Sequence, residues 1–156
     1  YYQLAPFIFD TLDLNPLIYS LSGILLSVGA LLGAIINRKL IHRHYCATTL
    51  ISISLLIALI SSLLLYAFEQ SWFFIIPMLG IMVAYSIAIP NILSNALKAY
   101  QHALGAAGAI FGLIYYVVIG IGLMISGFMQ SLGVTLIVLT LLSLMIHFIG
   151  SRKGNI

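Results

Sequence analysis

Five long apolar runs, separated by short polar segments, dominate the hydrophobic pattern of the chain. Each run has about the 20 residues that an α-helix needs to cross roughly 30 Å of hydrocarbon, and none has Asp, Glu, Lys or Arg in its interior. The runs also lack the alternation of transmembrane β-strands. The pattern therefore predicts five membrane-spanning helices, at about 16–37, 47–67, 73–96, 104–128 and 131–149.

A shorter apolar stretch precedes the first span. Residues 1–9 read YYQLAPFIF and are too short to cross a bilayer, so we interpret them as the end of a truncated helix. The polar segment 10–15 follows as a loop. Asn15 and Pro16 then form a favourable helix start, because Asn caps a helix and Pro suits its first turn. The expected unit is a fragment with five full spans and the end of a sixth.

The composition supports this class of protein. Hydrophobic residues make up 63% of the 156 residues and charged residues only 6%, whereas soluble domains have roughly a quarter charged residues. A soluble fold of this composition would expose a largely apolar surface. Six Lys and Arg residues, spread over several segments, are too few for a nucleic-acid-binding face. We predict one all-α membrane domain, a transmembrane helix bundle in contact with the lipid bilayer.

The charged residues alternate between successive connections. The acidic connections are 10–15 and 68–72, and the basic ones are 38–46, 97–103 and 150–156. Five crossings would place every Lys and Arg on one side of the membrane and every acid on the other. Because basic loops tend to stay inside, we predict that the C-terminus and the loop with Arg38, Lys39 and Arg43 are cytoplasmic, in a multi-pass protein of the cell (inner) membrane.

Glycine content divides the spans into two groups. Small residues let membrane helices approach closely, and the first, third and fourth spans are rich in Gly or Pro. GxxxG steps occur at Gly29 and Gly33 and at Gly108 and Gly112. The second span has neither Gly nor Pro, and the fifth is nearly as plain. We expect the first, third and fourth spans to form a packed, functional core and the second and fifth spans to face lipid more; the alternative is that glycine marks helix contacts without functional meaning.

Tyrosines mark the middle of two spans. Tyr85 lies near the midpoint of the third span, and Tyr115 and Tyr116 lie near the midpoint of the fourth. At that depth each hydroxyl needs a partner, which a water-filled cavity or simply a neighbouring helix backbone would supply. Together with Gln3 and Tyr19, they are the candidate substrate-binding residues, since aromatic rings shelter an apolar compound and hydroxyls orient it.

Pro90 interrupts the end of the third span. It removes a backbone hydrogen bond and frees the carbonyl of Ser86, and Asn91 and Asn95 follow on one helix face. A kinked polar helix end suits a gating motion, although bending without function is the alternative. The candidate gating or helix-packing residues are Gly29, Gly33, Pro90, Asn91, Gly108 and Gly112.

The sequence has no pattern typical of an enzyme or a metal site. HExxH, GxSxG, P-loop and GxGxxG motifs are missing, and no acid lies within a span to relay protons. His42 and His44 have no further ligand nearby, and the single Cys46 cannot form a multi-cysteine site. We therefore expect no enzymatic activity, no cofactor and no metal; an intramembrane enzyme is the weakest alternative.

Three stretches carry a family resemblance. They are Ala5-Pro6-Phe7-Ile8-Phe9 with Leu14-Asn15-Pro16 and Tyr19; Gly33-x-x-x-Asn37-Arg38-x-Leu40-x-x-Arg43; and Pro90-Asn91 through Ala96, then Gly105-Ala106-Ala107-Gly108-Ala109 and Gly112. In their order and spacing, the chain resembles the C-terminal half of a major facilitator superfamily transporter, most closely the Bcr/CflA-type drug efflux group. The resemblance implies that the five spans are the eighth to twelfth of twelve. His42 departs from the superfamily loop motif, which often has an acid there.

The resemblance also implies a function. The intact protein would export small amphipathic or drug-like compounds by alternating access, driven by the proton gradient, as a multidrug antiporter. A missing N-terminal half would supply the other wall of the pathway and the proton-coupling acids. The alternative is a structural or assembly subunit of a larger membrane complex without transport activity. Six further spans upstream of Tyr1 would favour the transporter, and a nearby start codon would favour the subunit.

Overall fold

A computed structural model of the protein describes residues 1–153, with side chains described to residue 150. The end of the predicted cytoplasmic tail, 154–156, lies outside the described residues. Six α-helices follow in the order α1 (Ala5–Thr11), α2 (Pro16–His42), α3 (Ala47–Phe68), α4 (Ile75–Leu97), α5 (Leu104–Met129) and α6 (Leu132–Lys153). Short 3-10 segments, Trp72–Phe74 and Lys98–Ala103, precede α4 and α5. The described residues contain no strand, so the all-α prediction is confirmed for them.

Four continuous helical runs in the described chain are long and apolar enough to cross a membrane. One of them, Trp72–Met129, has 58 residues and contains both α4 and α5. A straight helix of that length would measure about 87 Å, far more than the hydrocarbon thickness. Its helical geometry breaks at Tyr100, with φ −113° and ψ 28°. The number of membrane crossings, five by sequence, stays a prediction.

The chain reverses direction between α4 and α5. Phe74, next to the start of α4, packs edge-on against Phe9 of α1, with ring centroids 5.4 Å apart. Near the end of α5, the carbonyl of Leu123 accepts a hydrogen bond from Gln3, which lies just before α1. The start of α4 and the end of α5 therefore lie at the same end of the bundle, and the segment Lys98–Ala103 lies at the opposite end.

The connections that carry the acids meet at one end of the bundle, where Thr11, Leu12 and Glu69 line one cavity. Glu69, after α3, accepts hydrogen bonds from the backbone N–H of Leu132 (2.6 Å), the first residue of α6, and from the hydroxyl of Ser131 (2.8 Å), which precedes it. A carboxylate at a helix N-terminus is stabilised by the helix dipole. At the other end, Ala47 lies beside Lys98. Acidic and basic connections are thus separated in the folded chain as well as in the sequence.

The C-terminal part of α2 differs from the prediction. The first span was expected to end at residue 37, with Arg38 and Lys39 in a loop, but α2 continues to His42 and Arg43 is its C-cap residue. Cations near a helix C-terminus interact favourably with the helix dipole, which explains how a basic segment extends the helix. Of the three predicted loop cations, two therefore lie on the helix.

Helix α4 is the centre of the bundle. It packs against α2 on one side and α3 on the other, and α3 packs in turn against α6. The buried core joins Leu26 of α2, Leu65 of α3, Ile81 of α4 and Leu136 of α6. Four of the five long helices therefore share one packed unit, and α5 stands apart from it.

The division of spans by glycine content is wrong for α3 and α5. Helix α3 was expected to face lipid, yet it packs against both α4 and α6, whereas the glycine-rich α5 has only Ser126 buried. Small buried residues of α3, namely Ser54, Ala58 and Ser62, permit this close approach. Both serine hydroxyls donate to carbonyls of their own helix, so they pack as small residues without needing an external partner.

Candidate functional site

Three of the predicted substrate-binding tyrosines lie far from the helix ends. Tyr85 follows the start of α4 at Ile75 by ten residues, or about 15 Å along the axis. Tyr116 precedes the end of α5 at Met129 by thirteen residues, or about 20 Å. Both residues therefore lie near the middle of their helices.

These tyrosines form an exposed aromatic surface, which we call the tyrosine face (Tyr85, Tyr115 and Tyr116). The rings of Tyr115 and Tyr116 meet edge-on with centroids 5.8 Å apart. Tyr85 lies on α4, which contacts α5. Tyr85 is 39% exposed and Tyr116 is 74% exposed. The tyrosine face thus presents rings and hydroxyls on an otherwise apolar surface of α4 and α5.

The other two predicted binding residues, Gln3 and Tyr19, lie at the end of the bundle with the acidic connections. The Tyr19 ring stacks on Tyr1 at 6.4 Å and meets Phe9 edge-on at 5.5 Å. Gln3 donates to the carbonyl of Leu123 at 3.2 Å. The structure therefore does not bring all five residues together: Gln3 and Tyr19 tie the N-terminal segment to α5 and α2.

A cavity of about 810 Å³ opens at this end of the bundle. Apolar side chains of α1 line it together with five polar residues: Gln3, Thr11, Glu69, Gln70 and Gln130. Sequence reasoning identified only Gln3 among these. The available signal was the position of polar residues in every second connection between spans. If the spans alternate in direction, every second connection lies on the same side of the membrane.

Asn91, a predicted gating residue, connects α4 to α2. Its amide donates to the side-chain carbonyl of Asn37 and to the backbone carbonyl of Ile87, both at 2.7 Å. Asn37 and Asn91 are buried, whereas Pro90 beside them is exposed. The link fixes the proline-containing end of α4 to α2. The sequence pattern did not identify Asn37 as the partner, because spacing within one helix does not show which residue of another helix it meets.

The two predicted GxxxG steps have different surroundings. A Cβ atom at Gly33 would lie 2.7 Å from the Cβ of Ser86 and from the carbonyl of Val83, and one at Gly29 would lie 3.1 Å from the carbonyl of Leu79. These glycines therefore set the distance between α2 and α4. By contrast, a Cβ at Gly108 or Gly112 would meet nothing within 4 Å among the described residues.

Histidines and acids form no metal centre in the part of the chain that the structure describes. His147 of α6 instead contacts the hydroxyl of Ser52 on α3 through its Nε2 atom at 2.7 Å. This contact joins two packed helices near the basic end of the bundle.

Comparison with known proteins gives matches to rickettsial sequences. Over 129 residues, 74% of the chain, it is 32% identical to a Rickettsia felis protein named "Uncharacterized transporter". Over 133 residues, 76% of the chain, it is 31% identical to a protein of the same name from Rickettsia bellii. A 43-residue stretch is 56% identical to an uncharacterized protein of Rickettsia conorii. The chain spans about a third of the length of these curated relatives. No family model and no solved structure matches it.

Proposed function

We propose that this chain is part of a membrane transporter and that the tyrosine face lines its substrate pathway. The observation that carries the proposal is the exposure of three tyrosine side chains, each with a hydroxyl, about 15–20 Å inside two apolar helices. Hydrocarbon cannot hydrogen-bond to these hydroxyls, whereas an aqueous pathway and a polar substrate can. The name shared by the two longer-matching relatives supports the same class of function.

The finer assignment follows the resemblance to major facilitator transporters of the Bcr/CflA type. We propose proton-driven efflux of small amphipathic compounds by alternating access. The rings of the tyrosine face suit an apolar surface of the substrate, and the hydroxyls suit a polar group. All three acids lie outside the five long helices, so proton coupling would depend on residues of an N-terminal half outside this chain.

We also propose an orientation in the inner membrane with the basic end in the cytoplasm, because basic loops tend to stay inside. The native Cys46 is exposed and lies at the basic end, and Asp10 is exposed at the acidic end. In the intact protein, an impermeant maleimide should label Asp10→Cys from outside the cell. It should reach Cys46 only in inside-out vesicles. Labelling of both positions from the same face would contradict the five-crossing arrangement.

Removing hydroxyls from the tyrosine face should reduce transport. We expect Tyr85→Phe and Tyr115→Phe in the intact protein each to lower the export rate about three- to tenfold. A loss of this size corresponds to the free energy of one hydrogen bond to the substrate. Tyr85→Ala and Tyr116→Ala, which also remove the ring, should cost more. Export is measured with a fluorescent amphipathic compound at equal membrane levels of each variant.

Tyr66→Phe is the matched control, because Tyr66 is an exposed tyrosine of α3 outside the tyrosine face. It loses the same hydroxyl and should transport normally. Full export by both Tyr85→Ala and Tyr116→Ala would remove these residues from the pathway. If the intact protein shows no transport and is isolated as part of a larger membrane complex, the alternative of a structural or assembly subunit would be favoured.

A further inference from the structure

A shallow groove of about 680 Å³ lies at the basic end of the bundle, where the start of α3 meets the connection between α4 and α5. Four polar residues line it, namely Ser94, Asn95, Lys98 and Gln101, and Leu97 and Leu104 lie beside them. The groove therefore combines a polar part and an apolar part. It lies about one long helix away from the acidic-end cavity and does not include the tyrosine face.

The polar part of the groove is rich in hydrogen-bond donors. A hydroxyl, two carboxamides and an ammonium group all carry N–H or O–H donors. These four residues are exposed. They are available to a ligand with several acceptor oxygens.

The electrostatic surroundings favour an anion. Lys98 is the charged residue of the groove, and the acids Asp10, Asp13 and Glu69 are confined to the connections of the opposite end. In addition, α3 begins at Ala47 in the groove, and its N-cap residue makes no side-chain hydrogen bond. The uncapped N–H groups of this 22-residue helix add a partial positive charge to that of Lys98.

We propose that this groove binds the phosphate headgroup of an anionic membrane phospholipid. The groove lies at the ends of helices long enough to span a bilayer, which is the level of lipid headgroups. Lys98 pairs with the phosphate charge, and the hydroxyl and carboxamides donate to its oxygens. Leu97 and Leu104 contact the first methylene groups of the acyl chains. Basic pockets between membrane helices have this chemistry, and the site is independent of what the protein transports.

The native Cys46 provides a probe, because it is exposed and directly precedes Ala47 in the groove. The intact protein, labelled at Cys46 with a fluorophore, is reconstituted in phosphatidylcholine vesicles. A small fraction of phosphatidylglycerol or phosphatidylcholine, spin-labelled near the headgroup, is then added. We expect phosphatidylglycerol to quench more strongly. Lys98→Gln should lower the affinity for phosphatidylglycerol, relative to phosphatidylcholine, about fivefold, which is the effect of one lysine near an anionic surface. Lys98→Arg should retain the native preference for phosphatidylglycerol.

Lys39→Gln is the matched control, since it removes the same charge from the last turn of α2 outside the groove. The Lys39→Gln variant should change the preference for phosphatidylglycerol over phosphatidylcholine by less than about twofold. An equal loss in Lys39→Gln would indicate general surface charge and overturn the proposal, as would equal quenching by the two lipids in the native protein. Displacement of phosphatidylglycerol by inorganic phosphate at constant ionic strength would show that the groove takes free phosphate, which also contradicts the lipid assignment.

Discussion

Gly33→Ala should lower the free energy of unfolding of the protein by about 2 kcal/mol, the range for overpacking a tight contact. The added methyl group would lie 2.7 Å from the backbone carbonyl of Val83 and from the Cβ of Ser86. Neither atom is the flexible end of a side chain, so α2 and α4 must move apart. This loss exceeds the roughly 1 kcal/mol that alanine gains over glycine within a helix.

Unfolding of the intact protein by denaturant in mixed micelles measures this effect. Gly150→Ala is the matched control, because a Cβ at Gly150 in α6 meets nothing within 4 Å among the described residues. It should leave stability unchanged or raise it slightly. If Gly33→Ala were as stable as Gly150→Ala, the close approach of α2 and α4 at this position would be wrong.

Asn91→Leu should lower the free energy of unfolding by about 1–2 kcal/mol, the range for a buried polar group that loses its partner. The substitution removes the Asn91 amide, which donates to the side-chain oxygen of Asn37 at 2.7 Å. The buried oxygen of Asn37 then loses this hydrogen bond. Asn95→Leu is the matched control on the same helix. Asn95 is exposed, so its replacement should change stability by less than about 0.5 kcal/mol.

The double variant Asn37→Leu/Asn91→Leu provides a sharper test. Replacing both partners with apolar groups removes the unsatisfied polar atom, so the double variant should be more stable than the sum of the single effects predicts. Additive losses would show that the two side chains do not interact. The same set of variants, assayed for transport, would show whether the link between α2 and α4 also affects gating.

Contacts between α2 and α4 also bear on the proposed pathway. Tyr85 directly precedes Ser86, which contacts Gly33, and Asn91 joins Asn37 farther along the same helices. One member of the tyrosine face is therefore fixed to a tightly packed helix pair. A binding group on a rigid element keeps a defined position, which selective substrate binding requires. Tyr115 and Tyr116 lie on α5, which makes far fewer contacts.

Some features could be predicted from local sequence. The long apolar runs predict helices, because in hydrocarbon every backbone polar group must find its partner within the helix or a closed barrel. The alternation of acidic and basic connections predicted which connections share an end, and the cavity that Leu12 and Glu69 both line agrees with it. These properties depend on short segments and on the order of charges along the chain.

The choice of helix neighbours depended on the tertiary structure. Glycine pattern alone could not distinguish Gly33, which touches α4, from Gly112, where an added Cβ would meet none of the described residues within 4 Å. Nor could it show that α3 packs through Ser54 and Ser62. In an apolar chain nearly every helix face is hydrophobic, so periodicity does not mark the buried side. The sequence by itself determined the helices and the separation of charges, and only the three-dimensional arrangement decided which small and polar residues meet, because those contacts join helices far apart in the chain.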